Sequence, residues 1–168
     1  MCVRRKWWDR SMENEKNGVG PEPADRSKTQ IAQVSTAVLA YIGDAVYETW
    51  ARRHVFYRGL MRPDRLHAAA TGYVRAEAQA AAFDVLWEEL SPDEQAVARR
   101  GKNHRITSMP HNVDPQTYKK ATAFEALIGY LNLAGDAQRE RYIIEKTFQI
   151  IENSRIESKR YRKQETNK

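Results

Sequence analysis

The chain reads as an all-α protein. Three observations carry that reading. From Gln30 onward apolar residues recur at helical spacings, helix boundary residues punctuate them at intervals, and no alternating strand pattern or internal repeat occurs. The 168 residues suggest one domain, and 41% apolar residues are enough for a real core. No apolar run approaches the roughly 20 residues that span a bilayer, so no membrane role is expected. The single cysteine, Cys2, leaves no pair for an intrachain disulfide or a cysteine metal site, which suits a reducing cytoplasm. A net charge of +6 points to an anionic partner, with nucleic acid the commonest.

The elements follow in order. Residues 1–28 are polar, rich in Gly, Pro and charge, and read as a disordered arm. Met12 is an alternative start, which would leave Trp7 and Trp8 without meaning. A first helix is expected over about 30–40 and a second over about 43–57. A third starts near Pro63, a favoured first-turn residue. The run RAEAQAAAFDVLWEEL is rich in helix formers. Ser91, Pro92 and Glu94 form a capping-box signature for the next helix, with Gly101 as its stop. After a loop, PQTYKKATAFEALIGYLNLAG reads as a long apolar helix closing at Gly135. The final helix places Tyr142, Ile143, Thr147, Ile150 and Ile151 on one face. From Arg155 the chain carries six basic and two acidic residues and is expected to fray. The predicted units are therefore an arm (1–28), a helical domain (29–154) and a basic tail (155–168).

Two apolar segments each carry one isolated acid: Asp44 in AYIGDAVYETW and Glu125 in ATAFEALIGYL. Asp44 reads either as the N-cap of the second helix or as a functional carboxylate. Glu125 reads either as an exposed helical Glu, helped by Lys119 and Lys120, or as part of a site. If the two meet across a helix interface, a pair of carboxylates with water suits a hard cation such as Mg²⁺. With a basic surface, that chemistry points to phosphodiester cleavage. Glu48 lies one turn after Asp44, and pairing with Arg52 is the simpler account of it.

Residues 99–120 hold six Lys or Arg and one acid, Asp114. Arg99, Arg100, Lys102, Asn103, Arg105 and Lys119 are the candidate nucleic-acid contacts, placed to reach phosphates. None of the histidines stands at metal-ligand spacing. His67 is expected to fill a helix-packing site and His54 to lie on the surface, and His104 and His111 fall in the basic loop. Tyr73, Tyr118 and Tyr130 read as core or interface residues.

AYIGDAVYE, followed about 80 residues later by ATAFEALIGYLNLAG, resembles the ribonuclease III catalytic domain. That family pairs an E-x-x-E-F-L-G-D helix with a D-x-x-E-A-L-I-G-A motif, and the match runs from about Ser35 to Asn153. Where the family has acids, this chain has Ala37, Ala40 and Thr122. The retained acids, the short chain and the runs YVRAEAQAAA, ARRGKN and DPQTYKKATAFEALIGYL look like the Mini-ribonuclease III branch. The resemblance implies a ribonuclease III helical bundle that forms a homodimer. It implies Mg²⁺-dependent cleavage of double-stranded RNA, with Mn²⁺ as a possible substitute, leaving 5′-phosphate and 3′-hydroxyl ends. It further implies maturation of the 23S rRNA precursor in the cytoplasm, aided by a large-subunit ribosomal protein. Asp44 and Glu125 would be the catalytic metal pair. Two alternatives stay open: a non-catalytic relative that binds RNA or the ribosome, and a helical protein-interaction module with no salt-sensitive RNA binding.

Overall fold

The computed structural model describes residues 27–104 and 113–165, with the side chains at 159 and 161–165 excepted. The expectations for residues 1–26 of the N-terminal arm, Arg105 and His111 lie outside the described residues. Those residues form seven α-helices and one 3₁₀ turn, with no strand among them. The all-α reading holds.

Helix α1 (Lys28–Ala32) is a short turn opened by a capping box: the Ser27 hydroxyl accepts from the Gln30 amide, and the Gln30 side chain accepts from the Ser27 amide. Helix α2 (Thr36–Tyr57) follows, capped by Ser35. The two expected helices over 30–40 and 43–57 are thus differently divided. The break falls at residues 33–35, and Gly43 and Asp44 lie inside one unbroken helix. Asp44 is therefore not an N-cap.

Helix α3 (Pro63–Val74) starts at its proline as expected, and α4 (Ala76–Leu86) follows after an extended Arg75. A 3₁₀ turn (Trp87–Glu89) leads to α5 (Pro92–Asn103), where the Ser91–Glu94 capping box is present. Helix α5 does not stop at Gly101. That glycine is buried, and a Cβ there would meet the Ala123 Cα at 2.6 Å. Gly101 is thus a close-packing residue rather than a C-cap.

Helix α6 (Pro115–Leu133) is capped by Asp114 and is followed by Gly135, whose φ of +68° suits a residue without a Cβ. It buries Ala121, Ala123, Phe124 and the run from Ala126 to Leu131. Helices α2, α4, α5 and the final α7 (Ala137–Glu165) all pack on it. The buried face of α7 comprises Ile143, Ile144, Thr147, Phe148 and Ile151. Tyr142, expected on that face, lies outside it at 43% exposure and donates its hydroxyl to Glu89. The helix runs on past Arg155, which docks its guanidinium over the Tyr73 ring and donates to the Gly72 carbonyl. The first part of the segment expected to fray is therefore helical.

Candidate active site

Helices α2 and α6 cross at two glycines. A Cβ on Gly43 would sit 1.8 Å from the Glu125 carbonyl oxygen, and one on Gly129 would sit 2.0 Å from the Leu39 carbonyl oxygen. The two backbones are in direct contact, which no larger residue permits. The crossing brings Asp44, the residue after Gly43, into the neighbourhood of Glu125. The two acids singled out in the sequence are thus electrostatic neighbours in the fold.

Their surroundings differ. Asp44 is exposed, and its carboxyl is raised modestly, first by partial burial and then by the charge of Glu48. Glu48 is itself paired with Arg52 at 2.5 Å, as the i,i+4 spacing suggested. Glu125 is half-buried, and its carboxyl is pushed up to about 7. Desolvation is the main cause, and repulsion from Asp44 adds to it. It is not an exposed Glu relieved by lysines: Lys120 is engaged by Asp84 at 2.6 Å on the far element.

One further residue belongs here. Gln79 on α4 is 1% exposed, and its side chain is the neighbour that opposes the upward shift of Glu125. Its Nε2 nevertheless makes no hydrogen bond of normal geometry. The amide approaches the carboxylate without being seated on it. An unpaired buried donor costs about 1–3 kcal/mol, so an unused Gln79 is an expensive residue. Sequence reasoning missed it because glutamine inside an alanine-rich helix reads as a plain helix former.

Two mutually repelling carboxylates, one of them desolvated, form a ligand pair that a hard, oxygen-seeking cation would satisfy, while the unpaired Gln79 amide beside them needs an acceptor. Among the described residues no group of three or more His, Cys, Asp or Glu side chains stands close enough to hold a metal. The fit is thus to an ion held by two protein carboxylates that keeps most of its waters. Of the positions where the family has acids, Ala37 is exposed, Ala40 is buried and Thr122 is half-buried.

The candidate RNA contacts gather on α5 and at the start of α6. Arg99 donates to Gln95, and Arg99 and Lys102 both lie 5.4 Å from the centre of the Trp87 ring. Arg100 and Asn103 are exposed, and Lys119 is half-buried on α6. Two histidine expectations are corrected. His54 is not a surface residue: it is half-buried, with Nε2 2.8 Å from Glu152 and its ring against Tyr73 and Phe148. His67, expected in a packing site, is exposed. His104 is the exposed C-cap of α5. Tyr73 and Tyr130 are buried, and Tyr118 is half-buried.

Comparison with known proteins agrees with this geometry. The profile of the family described as "Ribonuclease III domain" matches residues 37–136, which include both acids. The chain is 44% identical over 115 residues to a Mini-ribonuclease 3 of Brevibacillus brevis, covering 68% of this chain and 86% of that protein. It is 44% identical over 114 residues to a Mini-ribonuclease 3 of Symbiobacterium thermophilum, covering 68% and 88%. A crystal structure of a protein from Fusobacterium nucleatum matches with a TM-score of 0.65 at 26% identity, covering 70% of this chain and 93% of that one. The crossing of α2 on α6, the two acids beside it and these relatives agree: the chain belongs to the ribonuclease III domain family, in its Mini-ribonuclease 3 branch.

Proposed function

We propose that this protein cleaves double-stranded RNA using a divalent cation, Mg²⁺ or Mn²⁺, held by Asp44 and Glu125. As a member of its family it is an endoribonuclease that leaves 5′-phosphate and 3′-hydroxyl ends. One observation carries the site assignment: a desolvated carboxylate on α6 stands beside a second, exposed carboxylate on α2, at a crossing fixed by backbone contact. Repulsion between them is a cost with no structural return, and a bound cation removes it.

Glu125 must release its proton to act as a ligand, and its position on a rigid, buried helix orients it without loop movement. Asp44, on the solvent side, leaves the site open to a phosphate backbone. When bound, the cation offsets charge on the scissile phosphate and acidifies a water. Arg99, Arg100, Lys102 and Lys119, and with them Asn103, supply the phosphate and groove contacts that hold the duplex.

The physiological substrate in this reading is the 23S rRNA precursor, the active form is a homodimer, and a large-subunit ribosomal protein assists. Exposed Val38 and Tyr41, within two turns of Asp44 on α2, support a partner surface there. No helix among the described residues is long and apolar enough to cross a membrane, which fits action in the cytoplasm.

The decisive experiment is Asp44→Asn on a double-stranded RNA with Mg²⁺. Expected are a loss of cleavage of at least two orders of magnitude and unchanged RNA binding. The small ligand count favours a second reading, a relative that binds RNA without cutting it. Absence of Mg²⁺-dependent cleavage by the wild-type protein would sink the first reading, and RNA binding kept in that case would support the second.

A further inference from the structure

The two carboxylates explain where a cation would sit, and they leave Gln79 unexplained. It is almost fully buried at 1% exposure, in a helix whose other inward residues near it are Ala78, Ala80, Ala82 and Phe83. Leucine or methionine would fill the same volume with no polar cost. Instead the position holds an amide whose Nε2 has no partner among the described residues and whose side chain approaches Glu125 from α4. Asp44 opposes the charge of Glu125 from α2, with Glu48 beside Asp44, so among the described residues the polar neighbour that favours the ionised form of Glu125 comes from α4.

A ligating carboxylate has two oxygens, and commonly only one is taken by the ion. The other needs a donor, or the group rotates and the ligand is lost. Buried ligands in particular need such a donor, because no solvent reaches the free oxygen.

We propose that Gln79 is the positioning residue of this site: its buried amide donates from Nε2 to the free oxygen of the Glu125 carboxylate and holds the other oxygen toward the cation. The geometry behind it is the burial of Gln79, its unpaired Nε2 and the packing of α4 on α6. The inference rests on the reading of Asp44 and Glu125 as the metal pair.

The test is Mn²⁺ binding without RNA, followed by the electron paramagnetic resonance signal of free Mn²⁺. Three variants are compared with wild type: Gln79→Leu, Gln79→Met and Glu125→Gln. The two apolar variants keep the volume at position 79, and the second guards against a failure of leucine to pack. Both are expected to fold, with a melting temperature equal to or above wild type, and to bind Mn²⁺ about tenfold more weakly. The Mg²⁺ concentration for half-maximal RNA cleavage should rise by a similar factor, while cleavage at saturating Mg²⁺ changes less. A merely structural glutamine would give the opposite pattern, with lower melting temperature and unchanged ion affinity, and that result overturns the proposal. Glu125→Gln separates the two claims. If it abolishes Mn²⁺ binding while both Gln79 variants bind normally, only the role of Gln79 falls. If Glu125→Gln binds Mn²⁺ as wild type does, the two-carboxylate site falls and the role of Gln79 with it.

Discussion

In the metal-free protein, ionising Glu125 costs free energy twice, through lost hydration and through the neighbouring Asp44. Its carboxyl titrates at about 7 in the fold against an ordinary 4.5. Between these values the folded chain holds a proton that the unfolded chain has released, so stability falls as pH rises through that window. The whole span is worth about 3 kcal/mol. Glu94, Glu152 and Asp136 work in the opposite sense. Arg139 and the Ser91 cap outweigh burial to hold Glu94 low; His54, Tyr73 and Arg58 do the same for Glu152; Lys28 lowers Asp136. Those three are common to wild type and Glu125→Gln. The difference in unfolding free energy between the two proteins, measured in chelator from pH 4 to 8, isolates Glu125. Wild type is expected to lose stability relative to the variant as pH rises through 4.5–7. A difference that stays flat would show that Glu125 is solvated. Added Mg²⁺ should restore stability at pH 8 in wild type only.

At the scale of elements, the contact between α2 and α6 sets the site. Gly129→Ala would thrust a methyl group into the Leu39 carbonyl, and a main-chain atom cannot rotate away. Loss of about 3 kcal/mol is expected, at the upper end for overpacking, read as a lower denaturant midpoint. An unmoved midpoint would mean that the crossing has slack. The same crossing shows what was legible in the sequence. Local signals were read correctly where the partner atoms are a few residues away: the Ser91–Glu94 box, Pro63 at a helix start and Gly135 after a helix end. Gly43 and Gly101 were misread as helix boundaries, because a glycine needed for close approach to a distant helix carries the same letter as one needed for a turn. His54 was misplaced for a related reason: its partners Glu152 and Tyr73 come from other helices. Asp44 and Glu125 stand out in the sequence by their local strangeness, as single acids in apolar segments. Gln79 had none, and only the packing of α4 on α6 reveals it.

For the whole molecule, the proposed function gives the +6 charge the task of holding RNA and the crossing the task of cutting it. The end of the chain allows the two to be separated, provided the cut respects the fold. Arg155 anchors α7 to Tyr73, so truncation must begin beyond it. Removing residues 159–168 deletes five Lys or Arg and one Glu. RNA binding is expected to weaken, with a shallower dependence on salt concentration, and the position of cleavage should stay the same. A shifted cleavage position would assign the tail a part in choosing the site. The central place of α6 has a consequence of another kind. Four helices lean on the one that carries Glu125, so its backbone amide meets solvent only when the entire fold opens. Hydrogen exchange at Glu125 would then be as slow as global unfolding, and the acid proposed as a metal ligand would lie in the longest-lived part of the protein.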